Sequence, residues 1–162
     1  VAVERVRLRH HMLESVAPTA APSGAMRAAE ESDLAWLVAA HDAFTDEAKV
    51  PRAPQGTDRM VRDRLGERRY RVWEDPAIVS FLGTVLVDGV YARIGPVYTP
   101  PPSRGRGYAT ALVAAASREL LDRGARRVFL TTDVANPVSN AIYARIGYRP
   151  VDDTAGYDFV DP

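Results

Sequence analysis

The chain has 162 residues, among them 21 Lys and Arg and 21 Asp and Glu, so its formal net charge at neutral pH is zero. This balance disfavours DNA or RNA as a partner, because nucleic-acid-binding proteins usually carry a basic excess that neutralises phosphates. The sequence contains no Cys, which excludes disulfides, cysteine-ligated zinc and a cysteine nucleophile, and we assign no metal ligand. The length suits one compact domain.

Two kinds of segment that would place the protein at or beyond a membrane are not apparent in the sequence. No run of about 18 apolar residues occurs, so we expect no membrane-spanning helix. The N-terminal segment is rich in Arg and His and lacks the basic and then apolar pattern of a signal peptide. We therefore expect a cytoplasmic protein.

Residues 1–25 differ in composition from the rest of the chain. Pro18 and Pro22 lie among small residues, which indicates a linker or an extended arm. Ahead of them Val3, Val6 and Leu8 are interspersed with charged residues, which fits one strand or the remnant of a missing N-terminal half. We place the domain proper at residues 26–162.

The first half of the domain reads as two helices and then three strands. Ser32 is a candidate N-cap for a helix that ends near Phe44, and a second helix is predicted from Thr57 to Gly66. Strands are predicted at 69–73, 78–87 and 90–99. Asp88-Gly89 between the last two favours a type I′ hairpin, in which both central residues need positive φ. These strands should form an antiparallel meander.

The second half alternates helices and strands. A helix is predicted from Tyr108 to Arg123, followed by a strand at 128–132 and by a short helix that begins after Asn136 and ends near Gly147. Two closing strands are predicted at 148–151 and 157–160. The complete order predicts an α+β fold with one strand–helix–strand crossover.

The segment from Arg104 to Gly107 carries the first chemical signal. Glycines let the backbone turn so that successive N–H groups converge, and the following helix adds the positive end of its dipole, which together suit a pyrophosphate. Arg104 and Arg106 would add positive charge. A Walker loop would require Gly-Lys-Ser/Thr, and the dinucleotide fingerprint would require glycine at Thr110. A glycine turn with solvated arginines remains the alternative.

Two motifs together resemble those of the GNAT superfamily of acyl-CoA-dependent N-acetyltransferases. Its glycine loop, Gln/Arg-x-x-Gly-x-Gly/Ala, is matched by Arg104, Gly107 and Ala109. Its later motif, an Asn, a Ser or Ala, a Tyr and a Gly-aromatic pair, is matched by Asn136, Ser139, Tyr143, Gly147 and Tyr148. The resemblance covers roughly residue 26 to the end. It implies a three-layer fold with a mostly antiparallel mixed sheet, splayed strands and flanking helices.

The resemblance also implies a cosubstrate, acetyl-CoA, and residues that would bind it. Backbone groups of Val97 and Thr99 would bind the pantetheine arm, and the N–H of Val97 or Tyr98 would polarise the thioester carbonyl. Tyr143 would protonate the departing thiolate. The remaining predicted cosubstrate-binding residues are Arg104, Gly105, Arg106, Gly107, Tyr108, Ala109, Thr110, Asn136 and Ser139.

The acceptor and its general base are not identified by the sequence. We expect a small-molecule or peptide amine that attacks directly in a ternary complex, with Asp133, Glu47, Asp46 or water as the base. His41 is interpreted as a packed helix residue, Trp36 and Trp73 as core or acceptor-pocket walls, and His10 and His11 receive no role. A non-catalytic acetyl-CoA-binding module is the alternative function.

Within the superfamily, the same motifs resemble those of a little-characterised bacterial branch. Its members are often longer, with a degenerate copy of the fold ahead of the active one, which is why residues 1–25 could be the tail of such a copy. A homodimer is a further expectation at the level of the family.

Overall fold

The computed structural model describes residues 1–159, which form a seven-stranded mixed sheet with helices on both faces. The strands are β1 (Ala2–Leu13), β2 (Ala25–Ala28), β3 (Tyr70–Glu74), β4 (Ile78–Val87), β5 (Tyr91–Tyr98), β6 (Arg127–Asp133) and β7 (Arg149–Phe159). The helices are α1 (Leu34–Ala48), α2 (Thr57–Gly66), α3 (Tyr108–Asp122) and α4 (Pro137–Ile146), and short 3₁₀ turns precede α1 and α3. No helix in this part of the chain is long and apolar enough to cross a membrane.

The strand order across the sheet is β2-β3-β4-β5-β6-β1-β7. Neighbouring strands pair antiparallel except β5 and β6, which are parallel. This parallel pair follows from the crossover through α3, because a strand that returns after a helix can lie beside its predecessor in the same direction. The sheet is therefore mixed and mostly antiparallel, as the sequence predicted.

Two hydrophobic cores lie on opposite faces of the sheet. Adjacent residues of one strand show this division, since Phe81 packs beneath α1 and α2 whereas Leu82 packs against α3. The larger core contains the apolar face of α3, with Leu112, Val113 and Leu120, and also Ile146 of α4. The helix–sheet–helix arrangement confirms the predicted three-layer α+β fold.

Several local predictions agree with the structure. Helix α2 and strand β4 have the predicted bounds. Asp88 and Gly89 adopt φ values of 52° and 66°, as a type I′ turn requires. Gly147 ends α4 in the left-handed conformation with φ of 110°, which costs glycine little.

The N-terminal region differs most from the prediction. Ala2–Leu13 lies inside the sheet, between β6 and β7, and is not an arm outside it. Its side chains alternate, so that His11 and Leu13 are buried while their neighbours are more exposed. The following segment packs on the domain, where the Ala17 N–H donates to the Ile146 carbonyl over 2.9 Å.

Three other element predictions are corrected. Residues 25–28, for which the sequence predicted no helix or strand, form edge strand β2. Helix α1 continues beyond Phe44 to Ala48, and a capping box between Glu30 and Asp33 at the preceding 3₁₀ turn takes the place of a Ser32 cap. The two predicted closing strands are one, because residues 149–159 follow β1 as a continuous partner. Val160 lies outside the described residues.

Candidate functional site

A cleft opens where β5 and β6 separate. The two strands pair at only three positions, from Tyr91 opposite Arg127 to Arg93 opposite Phe129. Within the described residues the rest of β5 has no strand partner on the β6 side, so its backbone before Tyr98 is open to another ligand on that side. Ser80, which is fully buried, holds the end of β5 by donating to the Tyr98 carbonyl over 3.0 Å.

The glycine loop leads from this cleft into α3. Gly105 and Gly107 have φ values of 76° and 84°, which explains why glycine occupies both positions. Gly107 is the N-cap, and no side chain caps the helix. The first helical hydrogen bond runs from the Ala111 N–H to the Gly107 carbonyl, so the three preceding N–H groups have no helical partner. They belong to Tyr108, Ala109 and Thr110.

This helix terminus is suited to an anion. Free N–H groups and the helix dipole both favour negative charge at the N-terminus of α3. Arg106 is exposed beside them and forms no ion pair within the described part of the chain. The loop is anchored from below by Tyr108, whose hydroxyl donates to Asp75 Oδ2 over 2.6 Å. The predicted pyrophosphate-binding loop therefore has the required backbone and charge.

Arg104 is directed away from the helix terminus. Its Nε donates to the Thr99 carbonyl over 2.9 Å, and its Nη2 lies 2.7 Å from Glu47 Oε2. Its guanidinium also lies 5.6 Å from the ring centre of Tyr98. Arg104 thus joins the end of β5 to the C-terminal end of α1, and its role as a phosphate ligand stays a prediction.

The start of α4 is fixed by its own side chains. Asn136 is the N-cap, and its Oδ1 accepts from the Ser139 N–H over 3.1 Å. Pro137 occupies the first helical position, where its lack of an N–H costs nothing. Asn140, one turn later, donates through Nδ2 to the Asn136 carbonyl over 2.8 Å. Asn136 and Ser139 are therefore at the turn between β6 and α4, on the β6 side of the cleft.

Tyr143 lies one turn further along α4 and is 8% exposed. Its ring centre is 5.9 Å from that of Tyr148 and 6.2 Å from that of His11. The hydroxyl of Tyr143 has no hydrogen-bond partner among residues 1–159. Burial raises the pKa of Tyr143 to about 12, because a phenolate in this site would lose its hydration. The side chain is thus a protonated donor at neutral pH.

A family model described as Acetyltransferase (GNAT) family matches residues 35–148. This match spans α1 to the start of β7 and includes the cleft, the glycine loop and α4. The chain belongs to the GNAT acetyltransferase family. The resemblance seen in the sequence is confirmed, and the family uses acetyl-CoA as its cosubstrate.

A curated relative supports the assignment to the GNAT family. The chain is 31% identical over 134 residues to a mycothiol acetyltransferase from Arthrobacter sp. (strain FB24). The aligned segment is 73% of this chain and 39% of the relative. The chain therefore spans about two fifths of the length of the curated relative that it matches.

Solved structures of GNAT proteins share the fold. A GCN5-related N-acetyltransferase from Sphaerobacter thermophilus superposes with a TM-score of 0.77 at 17% identity, covering 96% of this chain and 52% of that one. A predicted acetyltransferase from Clostridium acetobutylicum, solved with acetyl-CoA, gives a TM-score of 0.60 at 21% identity, covering 79% and 91%. At these identities the superpositions support the fold alone.

The candidate bases of this GNAT domain occupy different surroundings. Glu47 is paired with Arg104 and thereby lies near the end of β5. Asp46 is paired with Arg52 at 2.5 Å, on the outer side of α1. Asp133 accepts from the Ala135 N–H over 2.8 Å and so shapes the turn before α4. Glu47 therefore lies near the β5 side of the cleft and Asp133 at the end of β6, and both remain candidate bases.

The aromatic residues and His41 are packed as expected. His41 is buried, with its ring centre 5.3 Å from that of Phe81, and burial lowers its pKa to about 4. Trp36 packs edge-on against Phe81, and Trp73 lies in the larger core, where its Nε1 donates to the Ser23 carbonyl over 2.9 Å.

Sequence reasoning missed the position of His11. The residue was assigned to an arm, but β1 places it 3% exposed beside Tyr143. The signal that could have indicated burial is the alternation of residues 8–13, in which His11 shares a face with Leu13. Sequence alone could not indicate the neighbour, since β1 and α4 are more than 120 residues apart.

Proposed function

We propose that this GNAT domain transfers an acetyl group from acetyl-CoA to an amine. The observation that carries the proposal is the cleft between β5 and β6, which opens directly beside the uncapped N-terminus of α3. The free backbone groups of β5 suit the amide groups of a pantetheine arm, and the free N–H groups of α3 suit a pyrophosphate. The residues present thus fit the family's cosubstrate.

In this proposal the backbone of β5 also supports the chemical step. The amine attacks the thioester carbonyl carbon, and the N–H of Val97 or Tyr98 donates to the oxygen that becomes negative. The carbon–sulfur bond then breaks, and Tyr143 donates a hydrogen bond to the leaving sulfur. Before the attack an acceptor ammonium loses a proton to water or to a carboxylate, for which Glu47 and Asp133 remain the candidates.

The raised pKa of Tyr143 limits what this residue does. A thiol has a pKa of about 8.5, roughly 3.5 units below that of Tyr143 at about 12. A hydrogen bond from the protonated phenol to the developing thiolate is favourable without complete transfer of the proton. We propose that Tyr143 stabilises the leaving group mainly as a hydrogen-bond donor.

The acceptor is an amine whose structure the site does not specify. The acidic residues of α1, which could have attracted a cationic acceptor, are largely engaged, because Arg52 pairs with Asp42 and Asp46 and Arg104 pairs with Glu47. The matched relative is named a mycothiol acetyltransferase, so the acceptor amine of that enzyme is the first compound to screen. A cytoplasmic location and a homodimer stay predictions.

Thermal unfolding with acetyl-CoA, free CoA and ATP tests the proposed cosubstrate site. A ligand at 100 times its dissociation constant stabilises the native state by about 2.7 kcal/mol, which raises the melting temperature by a few degrees. We expect this shift with acetyl-CoA and CoA but not with ATP. Thiol release during incubation with an amine panel then tests transfer.

Glycine variants provide a matched comparison for this experiment. Gly105→Ala and Gly124→Ala both place a side chain at positive φ, with φ of 76° and 102°, near the two ends of α3. We expect Gly105→Ala to abolish the acetyl-CoA shift and Gly124→Ala to retain it. Equal shifts in both variants would argue against the loop as the pyrophosphate site. Binding without thiol release from any amine would favour the non-catalytic module.

A further inference from the structure

His11 lies at one end of a hydrogen-bonded chain that joins three elements. Its Nε2 is 3.0 Å from Thr132 Oγ1 on β6, and Thr132 Oγ1 donates to Asn140 Oδ1 on α4 over 2.7 Å. Asn140 lies one turn before Tyr143. These hydrogen bonds therefore connect the helix that carries Tyr143 to β6, the strand on one side of the cleft.

The hydrogen bonds between His11, Thr132 and Asn140 fix the tautomer of His11. Asn140 Nδ2 donates to the carbonyls of Asn136 and Asp133, so its Oδ1 is the atom that faces Thr132. Thr132 has one hydroxyl proton and donates it to that oxygen. It can therefore only accept from His11, which places the imidazole proton on Nε2 and leaves a bare lone pair on Nδ1.

One unsatisfied polar group and one available donor lie on neighbouring rings. His11 Nδ1 is a fully buried acceptor without a donor, and the Tyr143 hydroxyl, which is not among the fully buried unpaired atoms, forms no hydrogen bond with another described residue. Their ring centres are 6.2 Å apart with the planes tilted by 55°. At this separation a hydrogen bond between the Tyr143 hydroxyl and the His11 ring requires a rotation of the tyrosine side chain towards the imidazole. A buried acceptor left unpaired is costly, which favours that bond.

We propose that His11 is a positioning residue for Tyr143 and that its Nδ1 accepts a hydrogen bond from the tyrosine hydroxyl in the resting protein. The inference rests on the proposed function, in which Tyr143 then redirects this hydroxyl to the leaving sulfur. The bond holds the hydroxyl in one orientation and keeps it protonated before the thioester arrives. The unused lone pair of His11 Nδ1 is the feature that favours a role in orienting Tyr143 over a role in packing alone.

The surroundings of His11 keep it neutral under working conditions. Burial is the main cause that lowers its pKa, and the charges of Arg9 and His10 act in the same direction. The Asn140 side chain and Asp153 on β7 oppose them by raising the pKa, and Tyr143 is the titratable group that faces the ring from α4. Because burial lowers the pKa of His11, the surroundings favour the neutral imidazole, in which Nδ1 is an acceptor.

Variants at position 11 separate the lone pair from the ring. His11→Phe keeps a ring but no polar atom, His11→Gln can still donate to Thr132 but lacks the Nδ1 acceptor, and His11→Asn can place an acceptor near the Nδ1 position. We expect kcat to fall about 10- to 100-fold in His11→Phe and His11→Gln, with the KM for acetyl-CoA within about twofold. His11→Asn should recover most of the loss. His10→Phe, on the opposite face of β1, is the matched control.

A double-mutant cycle with Tyr143→Phe tests positioning directly. If His11 acts through the Tyr143 hydroxyl, His11→Phe should cost little in the Tyr143→Phe background, so that the two effects are strongly non-additive. An equal loss in both backgrounds would show a merely structural role and overturn the inference. If His11→Phe fails to fold, His11→Gln replaces it in the same cycle.

A spectroscopic readout keeps this inference separate from the proposed function. We expect ¹⁵N NMR of the wild-type protein at pH 7 to show a protonated Nε2 and a bare Nδ1, and the ¹³Cζ signal of Tyr143 to move in His11→Gln but not in His10→Phe. A proton on Nδ1, or an unmoved Tyr143 signal, would overturn the inference even if acetyl transfer occurs. If the Tyr143 signal moves in His11→Gln but the wild-type protein transfers no acetyl group, the inference stands and the proposed function is excluded.

Discussion

Tyr143 and Tyr148 are neighbouring buried tyrosines with different hydrogen bonding. The Tyr148 hydroxyl lies 2.8 Å from Ser117 Oγ within the core, whereas that of Tyr143 has no partner among the described residues. Removing the Tyr143 hydroxyl should cost catalysis, because this group is the proposed hydrogen-bond donor to the leaving sulfur. We expect Tyr143→Phe to lower kcat about 100-fold with an unchanged KM for acetyl-CoA, as is typical for the loss of one acid group. Steady-state kinetics with the identified amine measure both values.

Tyr148→Phe is the control for Tyr143→Phe. It leaves the Ser117 hydroxyl without its tyrosine partner and should reduce the free energy of unfolding by about 1 kcal/mol while kcat stays near that of the wild type.

The pH dependence of kcat provides a second check on the role of Tyr143. Since the pKa of Tyr143 is about 12, this group remains protonated below that pH and should produce no alkaline loss of activity near pH 10. Wild-type kcat in Tyr143→Phe would exclude it as the donor.

At the scale of elements, one arginine joins β2, β3 and the start of α1. Arg27 donates to Asp33 Oδ2 over 2.6 Å and to Glu74 Oε2 over 3.0 Å. The Asp33 side chain is 7% exposed and also accepts from the Glu30 N–H. Asp33→Asn should reduce the free energy of unfolding by about 2 kcal/mol, because it weakens charged hydrogen bonds in a partly buried site. Urea unfolding at pH 7 measures this difference.

The difference in the free energy of unfolding between wild type and Asp33→Asn should change with pH in one direction. The hydrogen bond from Arg27 lowers the pKa of Asp33 in the folded state, so its contribution is present above the unfolded pKa of about 3.9 and is lost as the pH falls through the lower folded pKa. The gap between wild type and Asp33→Asn should therefore close at acidic pH. Asp58→Asn, in an exposed pair with Arg62, should change stability by less than about 0.5 kcal/mol. A gap independent of pH would contradict this account.

At the scale of the whole molecule, β1 completes the sheet. It pairs with β6 on one side and β7 on the other, and β7 has no other strand partner among the described residues. Leu13 at its end is 1% exposed and packs in the larger core. We expect Leu13→Ala to reduce the free energy of unfolding by about 3 kcal/mol, the usual cost of a cavity in a packed core. Thermal and urea unfolding provide the measurement.

Val3→Ala is the matched change on the same strand. Val3 is 50% exposed, and its truncation should alter the free energy of unfolding by no more than about 0.5 kcal/mol. Similar small effects of both substitutions would mean that β1 is not part of the cooperative unit. A large effect of Leu13→Ala that also removes the acetyl-CoA shift would show that the site depends on this strand.

Local chemistry explains which elements could be predicted. The hairpin at Asp88-Gly89, the start of α4 at Asn136-Pro137 and the glycine loop each depend on a few adjacent residues with special backbone preferences. The bounds of β4 follow from a β-branched run between turn residues. In contrast β2 is only four residues long, too short for a periodic pattern, and it exists because β3 offers an edge to pair with.

The sequence by itself determined the fold class, the glycine loop and the family, because glycine and proline conformations and motif spacing act over a few residues. Only the tertiary structure decided that β1 lies between β6 and β7, that Arg104 reaches Glu47, and that His11 lies beside Tyr143. Each of these joins residues far apart in the chain. Their contacts depend on strand order and helix packing, which the local pattern of one strand does not encode.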